Sequence, residues 1–168
     1  MGTHTTASRD ILSADMAEKR EEIVELLTQA YWMEVETVMS YLANSVNPDG
    51  VRAQEIRDSL AADIQEELAH AQQFAQRIKE LYGVVPGSLE FRPAQTELQP
   101  PDDQTDLAHV IKGVIAAEAG AIEHYTRMIE ATDGIDWVTQ DMVIAILHDE
   151  QRHRRLFEGY LREIEPSA

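Results

Sequence analysis

The segment QEELAHAQQF, Gln65–Phe74, has the spacing of a helix interior and the wrong residues for one. Ile64, Leu68, Ala71 and Phe74 supply the apolar residues, yet Glu67 shares their stripe and His70 lies one turn further on. The same pair recurs in EQRH as Glu150 and His153. Two other segments, EVETVMSY and EAGAIEHY, each place a Glu and a Tyr seven residues apart: Glu34 with Tyr41, and Glu118 with Tyr125. Residues i and i+3 of a helix face the same way, so one E-x-x-H turn can present a carboxylate and an imidazole to one cavity. That donor set suits iron or manganese, with zinc as a competitor.

Each feature alone has a plainer reading. A single E-x-x-H is usually a solvated helix face, a lone inward His usually a hydrogen-bonded core residue, and a Tyr on an apolar stripe usually packing. The pattern as a whole is harder to explain that way. The Glu–Tyr pair recurs 84 residues later (Glu34 to Glu118, Tyr41 to Tyr125), and the Glu–His pair 83 residues later (Glu67 to Glu150, His70 to His153). The chain therefore reads as two copies of one helical hairpin with matching polar inserts. Four carboxylates facing one another in a core cannot all stay ionised uncompensated, because each buried ion costs on the order of several kcal/mol. The inner faces are expected to carry no Lys or Arg; Arg154 is nearest, beside His153. Two divalent metal ions would balance the four negative charges, with two neutral imidazoles completing the shells.

Four elements must position these groups. Helical periodicity runs from about Ala14 to Ser45, Val51 to Tyr82, Asp103 to Ala131, and Trp137 to Ile164, and no segment alternates like a strand. The turn signals NPDG, Asn47–Gly50, and TDGID, Thr132–Asp136, join the first pair and the last pair as antiparallel hairpins. Between the pairs lie Gly83 to Asp102, with Pro86, Pro93, Pro100 and Pro101. A 30-residue helix is about 45 Å long, and twenty extended residues reach about 65 Å. The connection can therefore run the length of the bundle and start helix three parallel to helix two. The expected fold is all-α: a single-domain four-helix bundle over residues 1–168 with one long crossover, residues 1–13 forming a flexible N-terminal segment.

Composition narrows the partners. The chain has 168 residues, 31 acids against 14 bases and a net charge of −17; Lys19, Lys79 and Lys112 are the only lysines. Such a surface repels phosphate backbones and attracts cations, so no nucleic-acid partner is expected. No apolar run approaches the roughly 20 residues of a membrane span, and the start MGTHTTASRD lacks the apolar core of a secretory signal. Gly2 and Thr6 match the loose myristoylation pattern, without any polybasic neighbour. No membrane partner is expected. The absence of cysteine excludes disulfides and thiolate metal sites and fits a cytoplasmic protein.

The arrangement resembles that of the ferritin-like di-iron carboxylate proteins: a Glu from each of two helices and a Glu-x-x-His from each of the other two. DMVIAILHDEQRH, Asp141–His153, looks like the fourth helix of the bacterioferritins, and the match in order and spacing covers nearly the whole bundle. The resemblance implies a ferritin-like bundle holding two iron ions, with Mn or Zn possible in their place. Glu67 and Glu150 would bridge the metals, Glu34 and His70 would complete one shell, and Glu118 and His153 the other. Tyr41 and Tyr125 would orient the Glu ligands across the bundle.

Three departures refine this. Leu68 stands where the haem-ligating Met of bacterioferritins would follow the bridging Glu, so no haem is expected. The chain ends at Ala168, soon after helix four, so no fifth helix is expected, and a dimer or dodecamer is favoured over a 24-mer. Rubrerythrins resemble the chain less: their extra Glu would fall at Ala121, and no Cys-rich domain is present. The implied activity is a ferroxidase that oxidises Fe(II) with O2 or H2O2 for iron storage or detoxification. The alternatives are a di-metal oxygenase or peroxidase acting on a small organic substrate, a Dps-like shell that sequesters iron, and a metal-free structural bundle.

Overall fold

The computed structural model describes residues 10–165, and among these the chain forms four long helices and no strand. They are α1, Ala17–Asn44; α2, Ala53–Glu80; α3, Leu107–Thr132; and α4, Trp137–Ile164. A short 3-10 turn, Ala14–Met16, leads into α1. Sequence supplies some of the stops and starts. Asp106 and Asp136 cap α3 and α4 by accepting from the backbone N–H of His109 and Thr139, at 2.9 and 3.1 Å. Gly134 takes the positive φ of 65° that the α3–α4 turn requires.

Hydrogen bonds at the two ends set the directions of the helices. The N–H of Asp49, in the α1–α2 turn, donates to the carbonyl of Gln104 at 2.8 Å, so α3 starts where α2 starts. At the opposite end Arg77, near the close of α2, meets Asp136 at the start of α4, also at 2.8 Å. Helices α2 and α3 therefore run parallel, and the segment between them crosses the length of the bundle.

The crossover is held to the helices under it. Glu36 is buried and accepts from the backbone N–H groups of Ala94 and Gln95 at 2.9 and 2.8 Å. Leu98 is buried in the core. Gly113 of α3 lies under the strap, where a Cβ would come 2.5 Å from the carbonyl oxygen of Glu97. The end of the expected flexible N-terminal segment is also held. Ile11 is buried, and Arg20 donates to the carbonyls of Ile11 and Ser13 at 2.9 and 3.0 Å. The Gly2–Thr6 pattern lies outside the described residues.

Two apolar clusters fill the bundle. One is built around Ile23, Leu27, Phe74, Ile78, Met128 and Val143, the other around Ile56, Leu60, Val110, Ile111, Val114 and Phe157. The four helices are clamped by hydrophobic burial above and below a polar layer that could not hold them together itself. Among the described residues no helix is long and apolar enough to cross a membrane.

Candidate metal centre

The layer between the two clusters is where the sequence places Glu34, Glu67, His70, Glu118, Glu150 and His153. All six are at most 2% exposed. Each Glu sits midway along its helix, between apolar residues of both clusters: Leu27 and Tyr41 flank Glu34, and Leu60 and Phe74 flank Glu67.

The six donors form two overlapping groups. Glu34, Glu67, His70 and Glu150 bring one donor atom each within 4.8 Å of one another, and so do Glu67, Glu118, Glu150 and His153. Glu67 and Glu150 belong to both. Their oxygens divide between the groups. Nδ1 of His70 lies 3.1 Å from Oε1 of Glu150 and 3.6 Å from Oε2 of Glu67. Nδ1 of His153 lies 3.2 Å from Oε1 of Glu67 and 3.8 Å from Oε2 of Glu150. Each shared carboxylate thus turns one oxygen toward each group, which is what a bridge between two cations needs.

The donors converge on common space. Both oxygens of Glu67, Oε1 of Glu150, Oε2 of Glu118 and Nδ1 of both histidines are buried and have no hydrogen-bond partner. Buried polar atoms are nearly always satisfied. Six orphans in one layer, all oxygen or imidazole nitrogen, fit a pair of divalent metal ions.

The tyrosines reach across the repeat. Tyr41 donates to Oε1 of Glu118, and Tyr125 donates to Oε1 of Glu34. Each Glu found only in one group is therefore tethered by the Tyr of the opposite half.

Without metal the layer holds protons instead. Burial, reinforced by the charges of Glu150 and Glu67, pushes the Glu34 carboxyl well above the usual carboxylate range. Burial and the nearby Glu150 do the same to Glu118. Burial works against imidazolium, but contacts with Glu150 and Glu67 outweigh it and raise His70 to about 10 and His153 to about 12. Burial would also raise Glu150; the adjacent His153 and His70 overcome that and lower it to about 2. The apoprotein thus keeps Glu150 ionised between two imidazolium rings, while Glu34 and Glu118 favour the neutral form.

Sequence reading missed several groups. Nε2 of His153 donates to Oε2 of Glu66 at 3.1 Å and lies 3.8 Å from Asp63, and Nε2 of His70 faces Asp149 at 3.4 Å. A signal was available: Glu66 and Asp149 precede the shared glutamates and are themselves 83 residues apart. The expectation that the inner faces lack Arg fails at Arg77, which is buried on α2 and pairs with Asp136 while donating to Thr139 at 2.8 Å. It neutralises a second buried acid at the bundle end, not the glutamate layer. Arg154 pairs instead with Glu158 at 2.9 Å. Leu68 is 39% exposed, and Ala121 packs in the first apolar cluster.

Comparison with known proteins follows the same lines. The family model of the ferritin-like domain matches residues 24–166. A DNA protection during starvation protein of Pyrococcus furiosus is 29% identical over 144 residues, covering 84% of this chain and 77% of that one. A bacterioferritin of Desulfovibrio desulfuricans is 23% identical over 149 residues, covering 88% and 79%. The solved structure of a dodecameric thioferritin, a bacterioferritin-related protein of Bacteroides fragilis, superposes with a TM-score of 0.78 at 25% identity, over 86% of this chain and 87% of that one.

Proposed function

Because the chain belongs to the ferritin-like domain family, we propose that it is a ferroxidase, taking two Fe(II) per chain and passing their electrons to O2 or H2O2. One observation carries this reading: two four-donor groups share Glu67 and Glu150, each with one oxygen turned to either side. Iron is the substrate in this reading; Mn and Zn are competitors for the same donors.

Two Fe(II) give up one electron each, which with two protons reduces O2 to H2O2 or H2O2 to two waters. The chain's residues prepare that exchange. Glu67 and Glu150 hold the two substrate ions adjacent, so that both electrons leave from one place. His70 and Glu34 complete one position, and His153 and Glu118 the other. Tyr125 and Tyr41 fix the two unshared carboxylates by hydrogen bonds. Loading the site displaces the protons held on Nδ1 of the histidines and on Glu34 and Glu118, since each must present a lone pair to a cation.

A small organic substrate is disfavoured by position. The six donors are at most 2% exposed, and a cavity of about 740 Å³ lies elsewhere, at the bundle end between Ile56, Ser59 and Tyr160. The protective-shell reading draws support from the Pyrococcus relative, and sequestration of iron is compatible with the same site. A net charge of −17 argues against coating DNA. We assign a cytoplasmic homo-oligomer, with a dodecamer the expected form by analogy with the Bacteroides structure.

The test is to load metal-free protein anaerobically with Fe(II), admit O2 or peroxide, and measure iron oxidised, oxidant consumed and product size. Oxidation of two Fe(II) per chain with a matching two-electron reduction supports the reading. Oxidation no faster than in buffer overturns it.

A further inference from the structure

His124 is a buried titratable residue that takes no part in the metal layer. It lies on α3, is 1% exposed, and reaches out of its own hairpin. Its Nε2 sits 2.9 Å from the carbonyl oxygen of Leu26 on α1. A carbonyl can only accept, so Nε2 carries the proton and donates. Nδ1 then holds the lone pair, and Nη2 of Arg127, one turn on, lies 3.4 Å from it. Burial lowers the pKa of the ring; the Leu26 carbonyl opposes that shift and the charge of Arg127 adds to it. The ring is therefore a neutral donor with one fixed tautomer.

From this contact we propose that His124 is a positioning residue that sets the register of the second hairpin against the first, and with it the fit of the shared glutamates. The inference rests on the two-metal reading above. Each four-donor group takes ligands from both hairpins. Glu150 joins Glu34, Glu67 and His70 in one group, and Glu67 joins Glu118, Glu150 and His153 in the other. A slide of one hairpin along its neighbour therefore pulls one shared Glu out of each group at once. One residue of helical rise is about 1.5 Å, and a ligand constellation tolerates about 0.5 Å.

The other contacts between the hairpins fix this register less directly. Apolar burial has no preferred direction. The tyrosine tethers end on glutamate side chains, which can swing about several bonds. The His124 bond differs at both ends. Its donor is a rigid ring set edge-on to Tyr125, centroids 6.0 Å apart, and its acceptor is the main chain of α1. Among the described residues it is the one hydrogen bond between helices of different hairpins that ends on a main-chain atom. Helices α1 and α3 run antiparallel, so Leu26 to Glu34 and His124 to Glu118 lead the same way, about 12 and 9 Å along the bundle. The bond thus holds the register about two turns from the donors without touching them. The repeat supplies no twin: 84 residues earlier stands Ser40, whose side chain lacks the reach of an imidazole.

The first measurement is made on 15N-labelled, full-length, metal-free protein at pH 7. The ring of His124, identified by its absence from the spectrum of His124→Gln, should show the Nε2–H tautomer with a slowly exchanging proton. An Nδ1–H tautomer, an imidazolium or fast exchange overturns the inference. The second is an anaerobic Co(II) titration of wild type, His124→Leu and His124→Gln, each below the temperature at which it begins to melt. Wild type should bind two ions per chain. Any other number overturns the two-metal reading and the positioning role with it, and the ring measurement then shows separately whether the bond exists. Given two ions, His124→Leu keeps the packing, loses the donor, and should weaken both ions by about 2- to 10-fold, the equivalent of one net hydrogen bond. His124→Gln should restore most of the affinity, because its amide N–H lies close to the place of Nε2. Weakening of both ions is the discriminating result, since loss of a tyrosine tether acts chiefly on one. Wild-type binding in His124→Leu, even with a lowered melting temperature, overturns the inference. So does weakening of one ion alone, or a Gln variant no better than Leu. If His124→Leu does not fold, His124→Asn, whose shorter amide falls short of Leu26, takes its place under the same criteria.

Discussion

The hydroxyl of Tyr41 on α1 donates to Glu118 on α3, 77 residues away, and the same bond in mirror order joins Tyr125 to Glu34. These crossed tethers tie the first hairpin to the second at the level of the glutamates. Removing one, by Tyr41→Phe, leaves the buried carboxyl group of Glu118 without its donor. The metal-free protein should lose about 1–3 kcal/mol, and Co(II) titration should show weakening chiefly at the position served by Glu118. Tyr125→Phe should weaken the Glu34 position instead. Equal weakening of both positions by each variant would show that the tyrosines do not act through their individual partners.

The division of oxygens at Glu67 and Glu150 gives a second expectation. Glu67→Ala or Glu150→Ala should lower occupancy at both metal positions. His70→Ala or His153→Ala should mainly empty one. Metal content per chain in the four variants checks this, and the same loss in all four would refute the bridging assignment.

Replacing an unshared glutamate by an apolar residue pits two effects against each other. Removing a buried charge cluster in favour of packing is often worth about 1–4 kcal/mol. Glu34→Leu also strands the hydroxyl of Tyr125, which costs about 1–3 kcal/mol. The single variant should therefore change the melting temperature of metal-free protein little. The double variant Glu34→Leu with Tyr125→Phe should raise it, and both should lose Fe(II) oxidation. A double variant that melts lower than wild type would show that the glutamate stabilises the apo fold.

Stability should depend on pH in opposite senses with and without metal. His70 and His153 have folded values near 10 and 12 against 6.5 when unfolded. A raised value stabilises the fold fully below 6.5 and loses that contribution as pH climbs through the folded value. Glu34 and Glu118 are raised too, and act in the same direction from 4.5 upward. Glu150, lowered to about 2 from 4.5, contributes above 4.5 and loses it as pH falls toward 2. Metal-free protein should melt highest near pH 4.5, lower by pH 6.5 as the contributions of Glu34 and Glu118 are lost, and lower still toward pH 10 as those of the histidines follow. The metal-loaded form should gain relative to apo over that rise, because its donors need no protons, and loading at pH 7 should release protons measurable in a weakly buffered titration. Surface repulsion among the acids is common to both forms, so the difference between their melting curves isolates the site. A gap that stays constant from pH 6 to 9 would contradict the protonated apo layer.

The sequence alone determined the helices and the candidate donors. Helical periodicity is a short-range property, so the apolar stripes of α2 and α4 and the misplaced Glu67, His70, Glu150 and His153 could be read from neighbours three and four residues away. The observed α4, Trp137–Ile164, begins and ends where that periodicity does. The 83- and 84-residue offsets extended the reading to a duplicated hairpin. Tertiary structure decided which atoms meet. Tyr41 with Glu118, Glu66 with His153 and Arg77 with Asp136 are separated by tens of residues, and their encounters depend on how the helices are rotated about their axes and displaced along them. So does the path of the crossover: the carboxylate of Glu36 looks like any other acid on α1 until Ala94 and Gln95 bring it two backbone donors. A local pattern sets which face of a helix is buried, but the partner for each buried polar atom exists only once four helices are packed against one another.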